Sequence, residues 1–446
     1  MTAEIRWFWS RLNANYWFYP ALFSLGAALL AFATIWLDRH GVSEALSATD
    51  WLIPARPDGA SNMLTVIAGS MIGVASTVFS ITIAAVAYAS GNYGPRLLTN
   101  FMEDRGNQLS LATFIATFVY AVIVLRSVRA EDEAPGIFAA EASGLPGFVP
   151  QLSLLVAFGL MALSVGTLVY FLNHIPASIR INAVLKGIGA RLLDDIVAAY
   201  PDAANGHEQP AAPAGQPIHA EGTGYVMLID FDAIAKAAAE HDVTVALEVR
   251  TGDFVHAGVA LARVCNGQAE AELSGRLRDA FSLGAWRTAE QDPQFLIDEL
   301  VEIGLRALSP GINDPFTAIT SLHWLAAATA ELGQRDLTQR PGGKDDRHER
   351  VIPLPDGFDH FVERGFGAMR GAVAGNRIAA LVMLDCLRNS AVPIVQQSRR
   401  DLLRREGERM FEQAQLALKG PDFADVEARY IAFGRSFVAD RTPEAG

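Results

Sequence analysis

The sequence predicts a mainly α-helical membrane protein: a four-helix transmembrane domain, then a cytoplasmic region with a small β-barrel-like insert and a helical bundle. Three observations predict it. Four apolar stretches of membrane-spanning length lie within residues 1–176 of the 446. No Asp, Glu, Lys or Arg interrupts any of them. After them, apolar residues recur at helical spacing, broken at 222–270 by short strand-like runs between glycine turns.

A span needs about 20 mostly apolar residues to cross roughly 30 Å of hydrocarbon. Residues 17–36, 63–88, 109–125 and 152–172 meet that need. The first is too long for a signal-peptide core and has no small-x-small cleavage site before the polar loop, so it reads as a retained anchor. Trp7, Trp9, Tyr16, Trp17 and Tyr19 suit an aromatic belt at its interface.

Flanking charge sets the expected orientation. Arg6 and Arg11 precede span one, Arg96 and Arg105 separate spans two and three, and Arg180, Lys186 and Arg191 follow span four. The other two loops are acidic, with Asp38, Glu44, Asp50 and Asp58 in one and Glu131, Asp132, Glu133 and Glu141 in the other. Both termini are therefore expected on the cytoplasmic side of a bacterial inner (plasma) membrane.

Span two differs from its neighbours. Gly69, Gly73, Ser76 and Ser80 fall on one stripe at 100° per residue, and Thr77 lies beside it. Such a stripe serves close helix packing, its hydroxyls bonding backbone or a neighbour, or lines an ion path. Without an intramembrane acid or base, a proton relay has little support. At the end of span four, Asn173 and His174 precede Pro176. They read as a polar cap before a helix break, or as a pH-responsive gate, because histidine titrates near neutral pH.

In the soluble part, residues 177–221 are read as a juxtamembrane helix, with Ile181, Val184, Leu185, Ile188, Leu192 and Ile196 on one side, and a Pro- and Gly-rich linker. Residues 222–270 contain GYVMLI, a short helix, VTVALEVR and GVALARV, with turns at Thr251-Gly252-Asp253 and Ala257-Gly258. That hairpin is like those of biotinyl and lipoyl barrels, but neither turn has the attachment lysine, so a structural or sensor barrel is expected and no cofactor. Residues 271–446 are expected to form the helical domain. Asp292-Pro293 and Asp314-Pro315 are matched helix starts, in which Asp accepts orphan amides and Pro has no amide to lose. Gly333 is the expected stop of the second helix, and Asp298, Glu299 and Glu302 the solvated side of the first. Residues 334–355 read as a flexible excursion; later helices are expected at 358–387, 393–418 and 421–438.

Between the paired helices runs Ser309-Pro310-Gly311-Ile312-Asn313-Asp314-Pro315. It is either a tightly specified turn or a loop binding a small anion or other ligand at a helix N-terminus. Asn313 and Asp314 alone are thin support for a cation. The stretch RTAEQDPQFLIDELVEIGLRALSPGINDPFTAITSLHWL, with VFSIT, GNYGPRLLTNFMEDRGNQ and GDFVHAG, resembles a family of predicted bacterial inner-membrane proteins, domain of unknown function 2254. The likeness covers most of the chain and implies a four-span inner-membrane protein; it carries no catalytic residues to transfer.

Function classes narrow accordingly. A net charge of −13 argues against nucleic acid, which needs a basic surface. HExxH, GxSxG and GxxxxGK[ST] are absent, so no enzyme is expected. Cys265 and Cys386, the two cysteines, are expected to be buried reduced thiols. Two readings remain: a homo-oligomeric, channel-like protein in the bilayer that passes a small ion along span two, or a membrane-anchored scaffold or signalling protein whose soluble part holds a ligand or partner.

Overall fold

The computed structural model describes residues 16–43, 55–94, 104–129, 148–202, 214–289, 291–337, 349–354 and 356–439. Trp7, Trp9, Arg6, Arg11, Arg96, most of the acidic-loop residues named above and the centre of the 334–355 segment lie outside them. The chain divides into two compact units, Met1–Arg180 and Ile181–Gly446.

The first unit holds α1 (Phe18–Leu37), α2 (Pro57–Tyr93), α3 (Arg105–Leu125) and α4 (Gln151–Ser178). All four are long and apolar enough to cross a membrane. The innermost is α3, which packs against the other three; its most apolar window is 56% buried, against 22–33% for theirs. Small side chains at Ala27, Ala31, Ala68, Ala75, Ala112, Ala121 and Ala157 let the backbones approach. Several polar groups between the helices are hydrogen-bonded across the packing, as a lipid solvent favours. The Tyr120 hydroxyl shares a 2.8 Å hydrogen bond with Thr34 and donates to the Ser153 carbonyl, and Thr117 meets Ser164 at 2.9 Å.

Two expectations change here. Helix α4 runs through Pro176 to Ser178 instead of breaking there. The proline removes one backbone donor, and the helix ends two residues further on. Asp38, expected in an acidic outer loop, is 3% exposed at the end of α1, just before the chain kinks at His40 and Gly41 (φ +99°). Its carboxylate accepts from the amides of Leu152 (3.0 Å) and Ser153 (2.9 Å) and from the Ser153 hydroxyl (2.8 Å). An acid on one helix thus caps the N-terminus of another, where the helix dipole favours negative charge.

The second unit begins with α5 (Ile181–Ala199). Its apolar side, Leu185, Ile188, Leu192 and Ile196, is buried against α8 (Pro293–Ala307) and α9 (Pro315–Leu332). The Trp324 indole lies 2.2 Å from where a Cβ on Gly189 would stand, so this crossing requires glycine. The β-rich part comprises β1 (Gly215–His219), β2 (Gly224–Ile229), α6 (Phe231–Glu240), β3 (Thr244–Leu247), β4 (Phe254–Val255), β5 (Ala260–Cys265), α7 (Ala271–Asp279), β6 (Phe281–Gly284) and β7 (Val351–Ile352). The expected barrel does not close. The strands form two open sheets, β1-β5-β3-β7 and β4-β2-β6, over one core with α6 and α7. Both glycine turns are as expected, Gly252 at φ +91° and Gly258 at φ +94°. The edges of the four-stranded sheet are supplied from outside the hairpins: β1 from the expected linker upstream, and β7, parallel to β3, from the expected flexible excursion far downstream.

The remaining helices are α10 (Phe358–Val362), a π-helical turn (Glu363–Gly367), α11 (Ala368–Ala374), α12 (Arg377–Ala391), α13 (Gln397–Ala417) and α14 (Gly420–Ala439). The single helix expected at 358–387 is interrupted where Asn376 caps α12 through the Ala379 amide (3.1 Å). Gly333 ends α9 without a left-handed turn (φ −64°); Ile394 occupies the space that a side chain there would need. Both cysteines are buried, and burial with the neighbouring Asp385 pushes the Cys386 thiol up to about 12.

Candidate functional site

In the first unit the site to weigh is the α2 stripe. Gly69, Gly73, Ser76, Thr77 and Ser80 are all exposed on the outside of the bundle. They lie opposite the face that buries Leu64, Ile67, Met71, Ala75 and Val78. Among the described residues no atom comes within 4 Å of where a Cβ would stand on Gly69 or Gly73, so neither glycine serves a close helix contact there. The hydroxyls donate inward along their own helix, Ser76 to the Ile72 carbonyl (2.9 Å), Thr77 to Gly73 (3.0 Å) and Ser80 to Ser76 (2.8 Å). Each donor is satisfied while its oxygen lone pairs face out. Ser76, Thr77, Ser80, Ile81 and Ala84 line a shallow groove of about 380 Å³. Larger apolar side chains are exposed elsewhere on the same helix, among them Val66, Ile72, Phe79 and Ile83.

At one end of this bundle His174 acquires the partner that sequence could not supply. Its Nε2 lies 2.8 and 3.0 Å from the Asp104 carboxylate oxygens, and its ring stacks on Tyr170 at 5.1 Å. Asp104 also accepts from the amides of Gly106 (2.8 Å) and Asn107 (3.4 Å), capping α3. One carboxylate therefore joins the start of α3 to the end of α4. A Cβ on Gly106 would stand 2.7 Å from both the histidine and the tyrosine hydroxyl, so glycine opens the path for that contact.

In the second unit, the Ser309–Pro315 segment folds on itself. The amides of Ile312 and Asn313 donate to the Ser309 carbonyl, and that of Asp314 to Ala307 (2.7 Å). Asn313 sits in the left-handed region at φ 49°, which asparagine tolerates better than most residues. The Asp314 carboxylate is taken up by the amides of Phe316 (3.1 Å) and Thr317 (3.2 Å) and the Thr317 hydroxyl (2.6 Å). The N-terminus of α9 thus already holds an anion of the chain itself. The turn presents two large apolar side chains outward, Ile312 and Phe316, 45% and 70% exposed, with Asn313 exposed beside them.

A polar node near the other helix start has no counterpart in the sequence reading. Arg287 is nearly buried; it donates to Asp292 (2.6 and 3.1 Å) and Asp298 (2.5 Å). Arg364, from the π-helical turn, grips Asp298 with two further 2.7 Å bonds. Glycine at 252 leaves room for this: the Asp292 carboxylate lies 2.2 Å from where a Cβ would stand. Nearby, the Thr251 hydroxyl donates to the Gln291 carbonyl (2.5 Å). The GDF turn and the QDP helix start, distant in sequence, are parts of one junction between strands and helices. Burial raises the Asp292 carboxyl despite Arg287. Burial acts likewise on Asp298, but Arg364 and Arg287 together outweigh it and hold that carboxyl below its usual range. Asp298 and Glu299 are accordingly not on a solvated side; α8 is enclosed by α5, α9 and the π-turned helix, and Glu299 is 1% exposed. The positive signal available was the pairing of Arg287 with two acids five and eleven residues on. Among the described residues no cluster of His, Cys, Asp and Glu has the form of a metal site.

Comparison with known proteins agrees with a membrane protein. An uncharacterized protein of Mycobacterium bovis and one of Mycobacterium tuberculosis are each 29% identical over 404 residues, spanning 87% of this chain and 73% of theirs. No solved structure gives a significant match. The family model described as "Predicted membrane protein (DUF2254)" matches residues 13–389, and the chain belongs to that family.

Proposed function

We propose that the protein is a channel-like component of a bacterial plasma membrane, with both termini and the second unit cytoplasmic. Copies assemble with the α2 stripes toward a shared path for a small ion, and the second unit regulates it. The observation that carries this reading is the outward position of the stripe. A row of glycines and self-satisfied hydroxyls facing away from the core is poor lipid-facing material beside Val66, Ile72 and Phe79, whereas hydroxyl oxygens can take over part of an ion's hydration. Acidic residues in the loops at the far ends of the spans favour a cation. The test is ion flux into liposomes holding the purified protein. Flux is expected in the wild type and a loss of about tenfold or more in Gly73→Leu and Ser76→Leu, since one wide residue occludes a path of ionic dimensions. Silent wild-type liposomes across ions and voltages sink the reading.

A second reading, a membrane-anchored scaffold, draws on Ile312 and Phe316 beside the Ser309–Pro315 turn. Exposed large apolar residues on a rigid turn suit partner docking. Here the full chain in nanodiscs is expected to capture a specific bacterial protein that Phe316→Asp releases; capture unchanged by that substitution removes the turn from consideration.

A further inference from the structure

Away from the α2 stripe and the Arg287 node, four ionisable side chains form a closed ring between the π-turned helix and α13. Arg370 of α11 lies 3.0 Å from Glu363 and 3.1 Å from Glu406. Arg409 of α13 lies 3.2 Å from Glu363 and 3.9 Å from Glu406. The members differ in exposure. Glu363 and Arg409 are more than half exposed, whereas Glu406 is 2% exposed. The buried acid therefore shares its one close counterion, Arg370, with a competing carboxylate, and its second is distant and wet. Beside it, Gly407 carries the Phe433 ring of α14 where a Cβ would stand, and Glu363 lies across Gly367. Movement of Glu406 thus reaches the π-helical turn on one side and the C-terminal helix on the other. A π-helical turn inside a helix often marks a functional position.

We propose that Glu406 is a proton-operated latch: with its proton the carboxyl packs α13 firmly against α11, and loss of the proton loosens that packing. The groups that face it are Arg370 from α11, Glu363 from the π-helical turn and Arg409 from α13 itself. Of the other elements packed on α13, α10 turns His360 to Gln294, and Asp385 of α12 pairs with Arg429 of α14. Burial, only partly offset by Arg370, pushes the Glu406 carboxyl up to about 7. The sign follows from linkage: an acid raised in the packed state binds its proton more tightly there than when exposed, so packing strengthens as pH falls through 7 toward the ordinary glutamate range. This inference stands apart from conduction and holds whether or not the α2 stripe passes ions.

The experiment is hydrogen exchange on the full chain in nanodiscs at pH 6 and pH 8, with α8 and α9 peptides as the reference for intrinsic rate. Peptides from α11 and α13 are expected to be about tenfold better protected, relative to that reference, at pH 6. Glu406→Gln, which imitates the protonated acid, is expected to hold the protected state at both pH values. Equal relative protection in the wild type at pH 6 and 8 overturns the proposal, as does a pH dependence that survives in Glu406→Gln. The wild-type comparison decides by itself if the variant does not fold.

Discussion

Replacing Arg287 with alanine is expected to destabilise the second unit by about 3–5 kcal/mol, the cost of stranding buried carboxylates. Asp292 and Asp298 lose a shared counterion; Asp298 retains its bonds to Arg364, but Asp292 keeps the Phe295 amide and only the more distant charge of Arg364. The penalty should shrink with acid. An orphaned buried carboxylate takes up a proton, so the gap between wild type and Arg287→Ala is expected to narrow as pH falls from 7 toward 4. In the wild type the lowered Asp298 contributes stability that is present above the usual carboxylate range and lost as pH falls through its depressed value, while the raised Asp292 opposes that trend. Chemical denaturation followed by tryptophan fluorescence measures the narrowing gap between pH 7 and 4, and its extension to more acid pH measures the loss of the Asp298 contribution. A ΔΔG below about 1 kcal/mol at pH 7, the size of an ordinary surface ion pair, would place the node among solvated charges instead.

The second large effect is expected in the membrane unit. Asp38→Ala removes the acceptor for two α4 amides and the Ser153 hydroxyl, at an expected cost of about 2–3 kcal/mol. Asp38→Asn should fall between, since one amide oxygen still accepts while the NH₂ group faces donors. Steric-trap or SDS unfolding of the protein in micelles resolves differences of this size. Equal stability of Asp38→Ala and wild type would mean that water reaches those amides. His174 gives a contrasting case at the other end of the bundle, where partial exposure of the Asp104 pair leaves water available to both groups.

What could be read from the amino-acid order is whatever local chemistry imposes. Runs of apolar residues with no charge compel spanning helices, because an unpaired backbone has no partner in hydrocarbon. Asp before Pro compels a helix start, and α8 and α9 begin where Asp292 and Asp314 say. Glycine at 252 and 258 compels a turn. Relations between distant segments were hidden. Nothing near Asp38 announces that α4, over a hundred residues later, needs a cap, and nothing near Gly252 announces the carboxylate that fills its missing Cβ. Closure of the β-rich part was misjudged for the same reason: the hairpins are local, but β1 and β7 come from outside them.

By itself, then, the sequence determined the number of spans, the helix starts, the glycine turns and the family, because each rests on contacts within a few residues. Tertiary structure alone decided that α3 and not α2 is the centre of the membrane unit, and that the α2 stripe looks outward. It also decided that Asp298 and Glu299 are interior, that His174 has an acid, and that Glu406 is buried with a shared counterion. The reason is physical: periodicity shows that a helix has two faces, but only the packed neighbours determine which face they cover.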